Sequence, residues 1–486
     1  MADKFLNNVR FNADIYKSDT FQSIVSPEAS SSHVENINIA NALGIIAQWH
    51  DEITYMRYIM QGMMVARLVD YKNLNQSLLL GNFNRLNCFK NRRRCNVQAD
   101  GTITAFYGDT GYTEDVDDIT ALAIPVDVMV YQPKFYYKVE PIEVEAISGS
   151  IGYHIRKAIY YISDAPFPGF KLHPAFINPS GNEVDYFLIG AYEGCLYDNS
   201  ESAYDKTDAA TADFSVDTLA SVANVKPASG IRSDLTSDNI EILCKNKGTG
   251  WHCMGVKQES MNQLMMLIEY GPDSQTGIGR GVVDITDNTS YNCSSITGST
   301  ASLGNGSGKA ASTVNEINGT RTTYTANGKV SVSYRGMENP YGNIWEWVQG
   351  GSIYGTGAST RGGQPYIADD FNYVAAKHED NYKPVGWTVP TFGNTAGTNY
   401  GGYITAFGYS GETYDWLFMG SEAGTIDTSM IKDYHYTITS LSGARVLLLG
   451  GCWSLSSRAG AFYWALHSGS STRDRTIGGR LCWYSV

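Results

Sequence analysis

From Ile39 the apolar positions recur in steps of three and four: Ile39, Ala42, Ile46, Trp49, Ile53, Met56, Met60 and Met63. Gln48, Asp51, Glu52 and Arg57 fall off that seam. A heptad spacing held for more than three repeats predicts an amphipathic helix. Such a seam either joins copies of the chain or packs on its own domain. Gly44 and Gly62 weaken a coiled coil, and both readings stay open at this point. Beyond Asp100 the texture turns to short β-type runs. Val126 to Tyr131, Phe135 to Val139 and Tyr186 to Glu193 carry the β-branched and aromatic residues that strands prefer. Trp251 to Tyr270, with Met254, Met261, Leu264, Met265 and Ile268, predicts a second helix. Residues 284–329 are rich in Ser, Thr, Gly and Asn and predict an exposed insertion or long loop.

Two later segments are sharper. In Tyr334–Val348 a glycine turn feeds a strand with Trp345 and Trp347 two residues apart, and so on one face. Glu346 then points to the other face, where burial would demand a partner. The last 42 residues begin and end in strongly apolar strands. Between them lies a Ser- and Gly-rich stretch with Phe462, Tyr463, Trp464 and His467. Adaptable small residues and low-entropy aromatics on rigid walls suit a recognition surface, although an ordinary loop between buried strands has the same composition.

Composition narrows the function classes. The 486 residues hold 36 Lys+Arg and 49 Asp+Glu, a net charge of −13 that opposes phosphate-backbone binding. The one dense basic cluster is Asn91-Arg92-Arg93-Arg94. No run approaches the roughly 18 apolar residues of a membrane helix. The start lacks the apolar core of a secretory signal. Eight dispersed cysteines are too few for a disulfide scaffold and fit folding in a reducing compartment. Cys88 and Cys95 bracket the basic cluster without two further ligands nearby for a metal.

Catalytic motifs fail on inspection. Gly306-Ser307-Gly308-Lys309 is followed by Ala310 where a phosphate loop needs a hydroxyl, and Leu303 replaces the leading glycine. Gly277-Ile278-Gly279-Arg280-Gly281 has the wrong spacing for a dinucleotide fingerprint. Gly408-Tyr409-Ser410-Gly411 is one residue short of a nucleophile elbow. Glu114, Asp115, Asp117 and Asp118 read as a solvated acidic loop more readily than a cation site. The eight His are scattered singly.

Gly342-Asn343-Ile344-Trp345-Glu346-Trp347-Val348 resembles a strand of the formylglycine-generating-enzyme type of C-type lectin fold. Arg445-Val446, Gly450-Gly451-Cys452-Trp453, Arg458 and Gly479-Arg480 resemble that family's ending, and Ile189-Gly190-Ala191-Tyr192-Glu193 its early strand. The resemblance spans about Phe167 to Trp483, in order. It implies an α+β, C-type-lectin-like domain. The family's enzymes use a cysteine pair after the Gly-Gly-Ser-Trp segment, where this chain holds Leu455 and Gly460. The resemblance therefore implies a non-enzyme.

Its non-enzyme branch includes variable proteins of diversity-generating retroelements, many of them phage receptor-binding proteins. Their C-terminal repeat changes by adenine-directed mutation, often at Asn codons. Residues 459–478 are similar to such a repeat, with Ala465, His467, Ser468, Thr472, Asp474 and Thr476 where Asn would stand. Ser454, Ser456 and Ser457 are comparable. The expected organisation is a helical attachment or oligomerisation region over 1–105, a β-rich connector over 106–165, and a lectin-like ligand-binding domain over 166–486.

The resemblance implies a phage tail adhesin made in the host cytoplasm and carried on the virion. Its partners would be a bacterial surface receptor, protein or glycan, other tail proteins, and further copies of itself, a trimer foremost. No nucleic acid, membrane insertion or cofactor is expected, with room left for a structural Ca²⁺. Trp345, Trp347, Trp453, Arg458 and Arg480 would be framework. Phe462, Tyr463 and the exchangeable positions would touch the ligand. The alternatives are a virion decoration protein that binds no host, and a degenerate or copper-dependent formylglycine-generating-like enzyme that takes up metal at Cys452 or Cys482.

Overall fold

The computed structural model describes residues 62–231, 234–286, 291–357, 361–391, 399–438 and 441–486. All but the end of the helix expected from Ile39 to Met63 lies outside the described residues. The chain then enters sheet directly. β1 (Met64–Asp70) folds back on β2 (Asn75–Leu80), and β3 (Arg93–Val97) follows a single helical turn. These strands correct the expectation of a helical region reaching residue 105. Val65, Val69, Cys95 and Val97 are β-formers fully buried in sheet. β4 (Asp127–Pro133) buries Val128, Met129 and Val130 in succession, as a strand covered on both faces must. β5 (Tyr136–Ala146) instead alternates buried and half-exposed positions over Tyr136 to Glu140, so it has one wet face. β6 (Tyr153–Ser163) and β7 (Tyr186–Gly190) complete the first half.

Helix α1 (Ser237–Lys245) starts where the Thr236 hydroxyl accepts the Asn239 amide at 3.3 Å. The helix expected over residues 251–270 divides. Trp251–Cys253 is strand β8, and α2 (Val256–Tyr270) begins only after Gly255, whose N–H donates to Gln258 Oε1 at 3.1 Å. Later strands of the main sheets are β9 (Trp345–Thr356), β10 (Gln364–Ala368), β11 (Tyr382–Pro384), β12 (Asn399–Tyr409), β13 (Tyr434–Ile438), β14 (Ser442–Gly450), β15 (Gly460–Ala465), β16 (Ile477–Gly478) and β17 (Leu481–Trp483).

The large sheet runs β2-β1-β6-β12-β13-β15-β14-β9-β10-β11. Only the β13–β15 pair is parallel along that path. A second sheet runs β8-β17-β7-β4-β3 and ends on Ile103–Phe106. The closing strand β17 lies beside β7, with Cys482 opposite Ile189. Two helices pack against the sheets. This is an α+β arrangement, mostly β. Residues 63–486 form one unit. β3 pairs with β4, and β4 with β7, across the boundaries expected at 105 and 166.

Trp345 and Trp347 share one face of β9, packed with Val446, Leu448, Ile240 and Leu243. Trp347 Nε1 donates to the Leu235 carbonyl at 2.9 Å. On the opposite face Glu346 meets Arg480 at 2.6 Å. The Arg480 guanidinium is fully buried and also donates to the carbonyls of Gly190, Glu338 and Asn339 at 2.9 to 3.1 Å. One side chain thus ties β7, β9 and the turn before β9 together.

Two sequence expectations fall to the same cause, polar groups that find partners inside the fold. The basic cluster is internal: Arg92 donates to Gln132 and Asn262, Arg94 pairs with Glu114 at 3.0 Å, and Arg93 stacks on Phe106. Glu114 therefore belongs to no solvated loop, and Asp115 caps a short helix by accepting from Asp117 N at 2.8 Å. The Ser/Thr-rich insertion is folded inward in part, with Ser294, Ser295, Thr297, Thr300, Thr313 and Asn315 buried, while residues 318–327 stay largely exposed. Their hydroxyls and amides bond locally: Thr297 Oγ1 donates to the Val222 carbonyl and Ser295 Oγ to Asn315 Oδ1, both at 2.8 Å.

Candidate ligand-binding surface

The face of the large sheet that carries Trp345 and Trp347 changes character toward β12 and β13. Alternation along β13 sends Tyr434, Tyr436 and Ile438 to this face, half-exposed, and buries His435 and Thr437. Tyr403 on β12 sits opposite Tyr434, their rings edge to face at 5.3 Å. Tyr463 on β15 is the floor: 3% exposed, it packs edge-on against Tyr434 at 5.6 Å and Trp345 at 4.6 Å. A tyrosine row therefore lies on a tryptophan-backed sheet. Large rigid rings at low entropy cost make such a surface suitable for contact.

Two C-terminal segments border the row. The 3₁₀ turn Ser456–Arg458 brings Ser457 Oγ within 3.1 Å of the Tyr403 hydroxyl and sets Arg458 over the Tyr434 ring at 5.6 Å. Ser456 is exposed and holds φ at +53°, a region where Asn, Asp and Gly are the residues best tolerated. Arg280 Nη2 donates to its hydroxyl at 3.3 Å. At the other end His467 packs edge-on against Tyr436 at 4.6 Å. Burial, then the nearby Arg445, lowers the His467 pKa, so its ring is neutral at pH 7. Its Nδ1 finds no hydrogen-bond partner among the described residues.

The loop that follows is pinned by its backbone. Thr472 N donates to the Gly469 carbonyl, and Asp474 Oδ1 accepts both the amide and the hydroxyl of Thr476 at 2.9 and 2.8 Å. Arg473 pairs with Asp234. Among the described residues, Arg445 and Arg458 have no carboxylate within ion-pair distance. Arg458 stands over the row at Tyr434, which gives this edge of an acidic chain a local positive field.

The expected contact residues separate into two groups. Ser454, Ser456, Ser457, His467, Thr472, Asp474 and Thr476 retain solvent exposure. Phe462, Tyr463, Ala465 and Ser468 are buried, which corrects their placement as ligand contacts. The stretch read as a loop is strand β15, and its alternate residues fill two cores. Phe462 packs on Phe407 and Phe418, while Tyr463 and Ala465 join the tryptophan side. Arg458, expected as framework, is exposed, whereas Trp345, Trp347, Trp453 and Arg480 are interior. Sequence reasoning passed over Tyr403, Tyr434 and Tyr436, although the alternation Tyr434-His435-Tyr436-Thr437-Ile438 was the available signal.

Burial pushes the Cys452 thiol up to about 11, and the Cys482 thiol is raised further by burial. All eight cysteines are buried free thiols. Among the described residues no three His, Cys, Asp or Glu side chains converge as metal ligands. No described helix is long and apolar enough to cross a membrane.

No family model and no curated protein matches the chain. Solved structures similar to it include two titled Major Tropism Determinant. The U1 variant is 13% identical at a TM-score of 0.26, covering 80% of this chain and 71% of its own. The P3c variant is 12% identical at 0.27, covering 81% and 72%. Superpositions this loose carry no residue correspondence.

Proposed function

We propose that the chain is a phage tail receptor-binding protein whose tyrosine row and bordering loops attach the virion to a bacterial surface ligand. One observation carries the reading: Tyr403, Tyr434 and Tyr436 stand half-exposed on a rigid, tryptophan-backed sheet, bordered by small exchangeable side chains and the Arg458 guanidinium. Recognition would proceed by aromatic contact and hydrogen bonding, with the Arg458 guanidinium as a directional group. No reaction follows, because the cysteine chemistry of the resembled enzymes lacks its residues and burial holds the Cys452 and Cys482 thiols protonated.

Diversification would act on Ser454, Ser456, Ser457, His467, Thr472, Asp474 and Thr476, which can change without disturbing either core. Attachment to the tail and to further copies would use the N-terminal side, and a trimer would multiply a weak single-site affinity. The test is binding of the purified chain to host cells by flow cytometry, beside a Tyr436→Ser/Arg458→Ser/His467→Ala variant matched for melting temperature. The expected result is a loss of at least about tenfold in affinity, or roughly 1.4 kcal/mol. Equal binding by the folded variant overturns the assignment.

A further inference from the structure

The inward-folded insertion buries a lysine and an aspartate side by side without pairing them. Lys226 is 4% exposed, and its Nζ donates to the main-chain carbonyl of Asn292 at 2.8 Å and to that of Glu316. Asp208, equally buried, lies close enough to act electrostatically on Lys226, yet the two form no ion pair. Its carboxyl instead meets Ser229 Oγ at 2.6 Å, Ser229 N at 2.8 Å and the side-chain amide nitrogen of Asn292. Asn292 therefore stands between them, its backbone on the lysine and its amide nitrogen on the aspartate. The amide oxygen, Oδ1, accepts from Ser294 N at 3.2 Å and Ser294 Oγ at 2.9 Å.

An ordinary buried ion pair would bring opposite charges into contact. Here burial favours the neutral form of both groups: the Lys226 pKa is lowered, and that of Asp208 is raised to about 7. A desolvated lysine is a nucleophile. A carboxylic acid on the amide nitrogen can protonate a leaving group. Two donors on an amide oxygen are placed to hold a developing oxyanion.

We propose that Lys226 and Asn292 are joined by a self-formed isopeptide bond, with Asp208 as the proton shuttle. Lys226 Nζ, as the free amine, turns from the Asn292 carbonyl to the Cγ of the same residue, within the freedom of its four-carbon stem. The new N–C bond gives a tetrahedral oxyanion at Oδ1, held by Ser294. Asp208 gives its proton to Nδ2 and takes one from Nζ. The Cγ–Nδ2 bond breaks and ammonia leaves. Asp208 ends protonated, as it began, and nothing is oxidised or reduced. The cross-link would fasten the segment before α1 to the insertion, closing a loop of the chain that unfolding otherwise opens.

The test is the intact mass of the purified full chain, followed by tandem mass spectrometry of a proteolytic digest. The expected result is a mass one ammonia below that of the sequence, with a branched peptide joining Lys226 to Asn292. Lys226→Arg keeps the cation and loses the deficit. Asp208→Asn, shown folded by circular dichroism, also loses it. The full sequence mass in the folded wild type overturns the proposal, and so does a mass deficit retained in Lys226→Arg. A deficit retained in folded Asp208→Asn removes the aspartate from its role.

Discussion

Replacing Arg480 by methionine tests the frame on which the tyrosine row stands. The guanidinium makes contacts of 2.6 and 3.0 Å to Glu346 and reaches three main-chain carbonyls, with no exposure to solvent. Methionine keeps most of the volume and removes every donor. Glu346 is then a buried carboxylate without its cation, a loss that costs about 3–5 kcal/mol when one partner of a buried pair is removed. The stranded carbonyls of Gly190, Glu338 and Asn339 add to it, at about 1–3 kcal/mol for each that finds no water. Burial raises the Glu193 and Glu259 carboxyls, and Arg480 opposes that rise at both. Both carboxyls would rise further in the variant. Tryptophan fluorescence in a urea titration reads the change, since Trp345 and Trp347 flank Glu346. The expected loss is at least about 3 kcal/mol, with Arg480→Met/Glu346→Leu regaining a part through the missing charge. A loss under about 1 kcal/mol in Arg480→Met would refute the reasoning.

Three further outcomes follow from single residues. Burial raises the Glu193 carboxyl to about 8, against Asn339 and Asn343, which donate to it. A raised folded-state pKa means stability fully present below the unfolded value near 4.5 and lost as pH climbs through 8. Urea midpoints from pH 5 to 9 should therefore fall more steeply for the wild type than for Glu193→Gln, and parallel slopes would contradict this. At Ser456, Asn should be neutral in a thermal melt, while Val should cost about 1–2 kcal/mol because φ is positive there. The native protein should leave Cys452 unlabelled by a thiol reagent at pH 8 until denaturant is added, because its thiol is buried and protonated. Rapid labelling of the native state would count against that burial.

Legibility followed the physics of each residue. The Trp345/Trp347 face and the demand of Glu346 for a partner were readable, because strand alternation is local and a buried charge must be met. Its partner, 134 positions along the chain, was not readable from spacing. Residues 460–465 were misread as loop because Ser and Gly surround them, yet Phe462 and Trp464 on one face and Tyr463 on the other reach two cores. The insertion misled in the same way. Small hydroxyl residues read as solvated, and only the fold shows Thr297 and Ser295 bonding inside it. Tyr403 and Tyr434 come together through β12 and β13, a pairing that leaves no mark on either segment alone.

The most direct test of the central claim is a deep mutational scan of positions 403, 434, 436 and 454–476 with two readouts, folded surface display and host-cell binding. The account predicts that changes at Tyr403, Tyr434, Tyr436, Ser454, Ser457, Arg458, His467, Thr472 and Asp474 shift binding while display holds. Changes at Phe462, Tyr463 and Trp464 should lower both together. Binding that simply follows display at every position would contradict it, leaving this face a structural part of the protein with no ligand of its own.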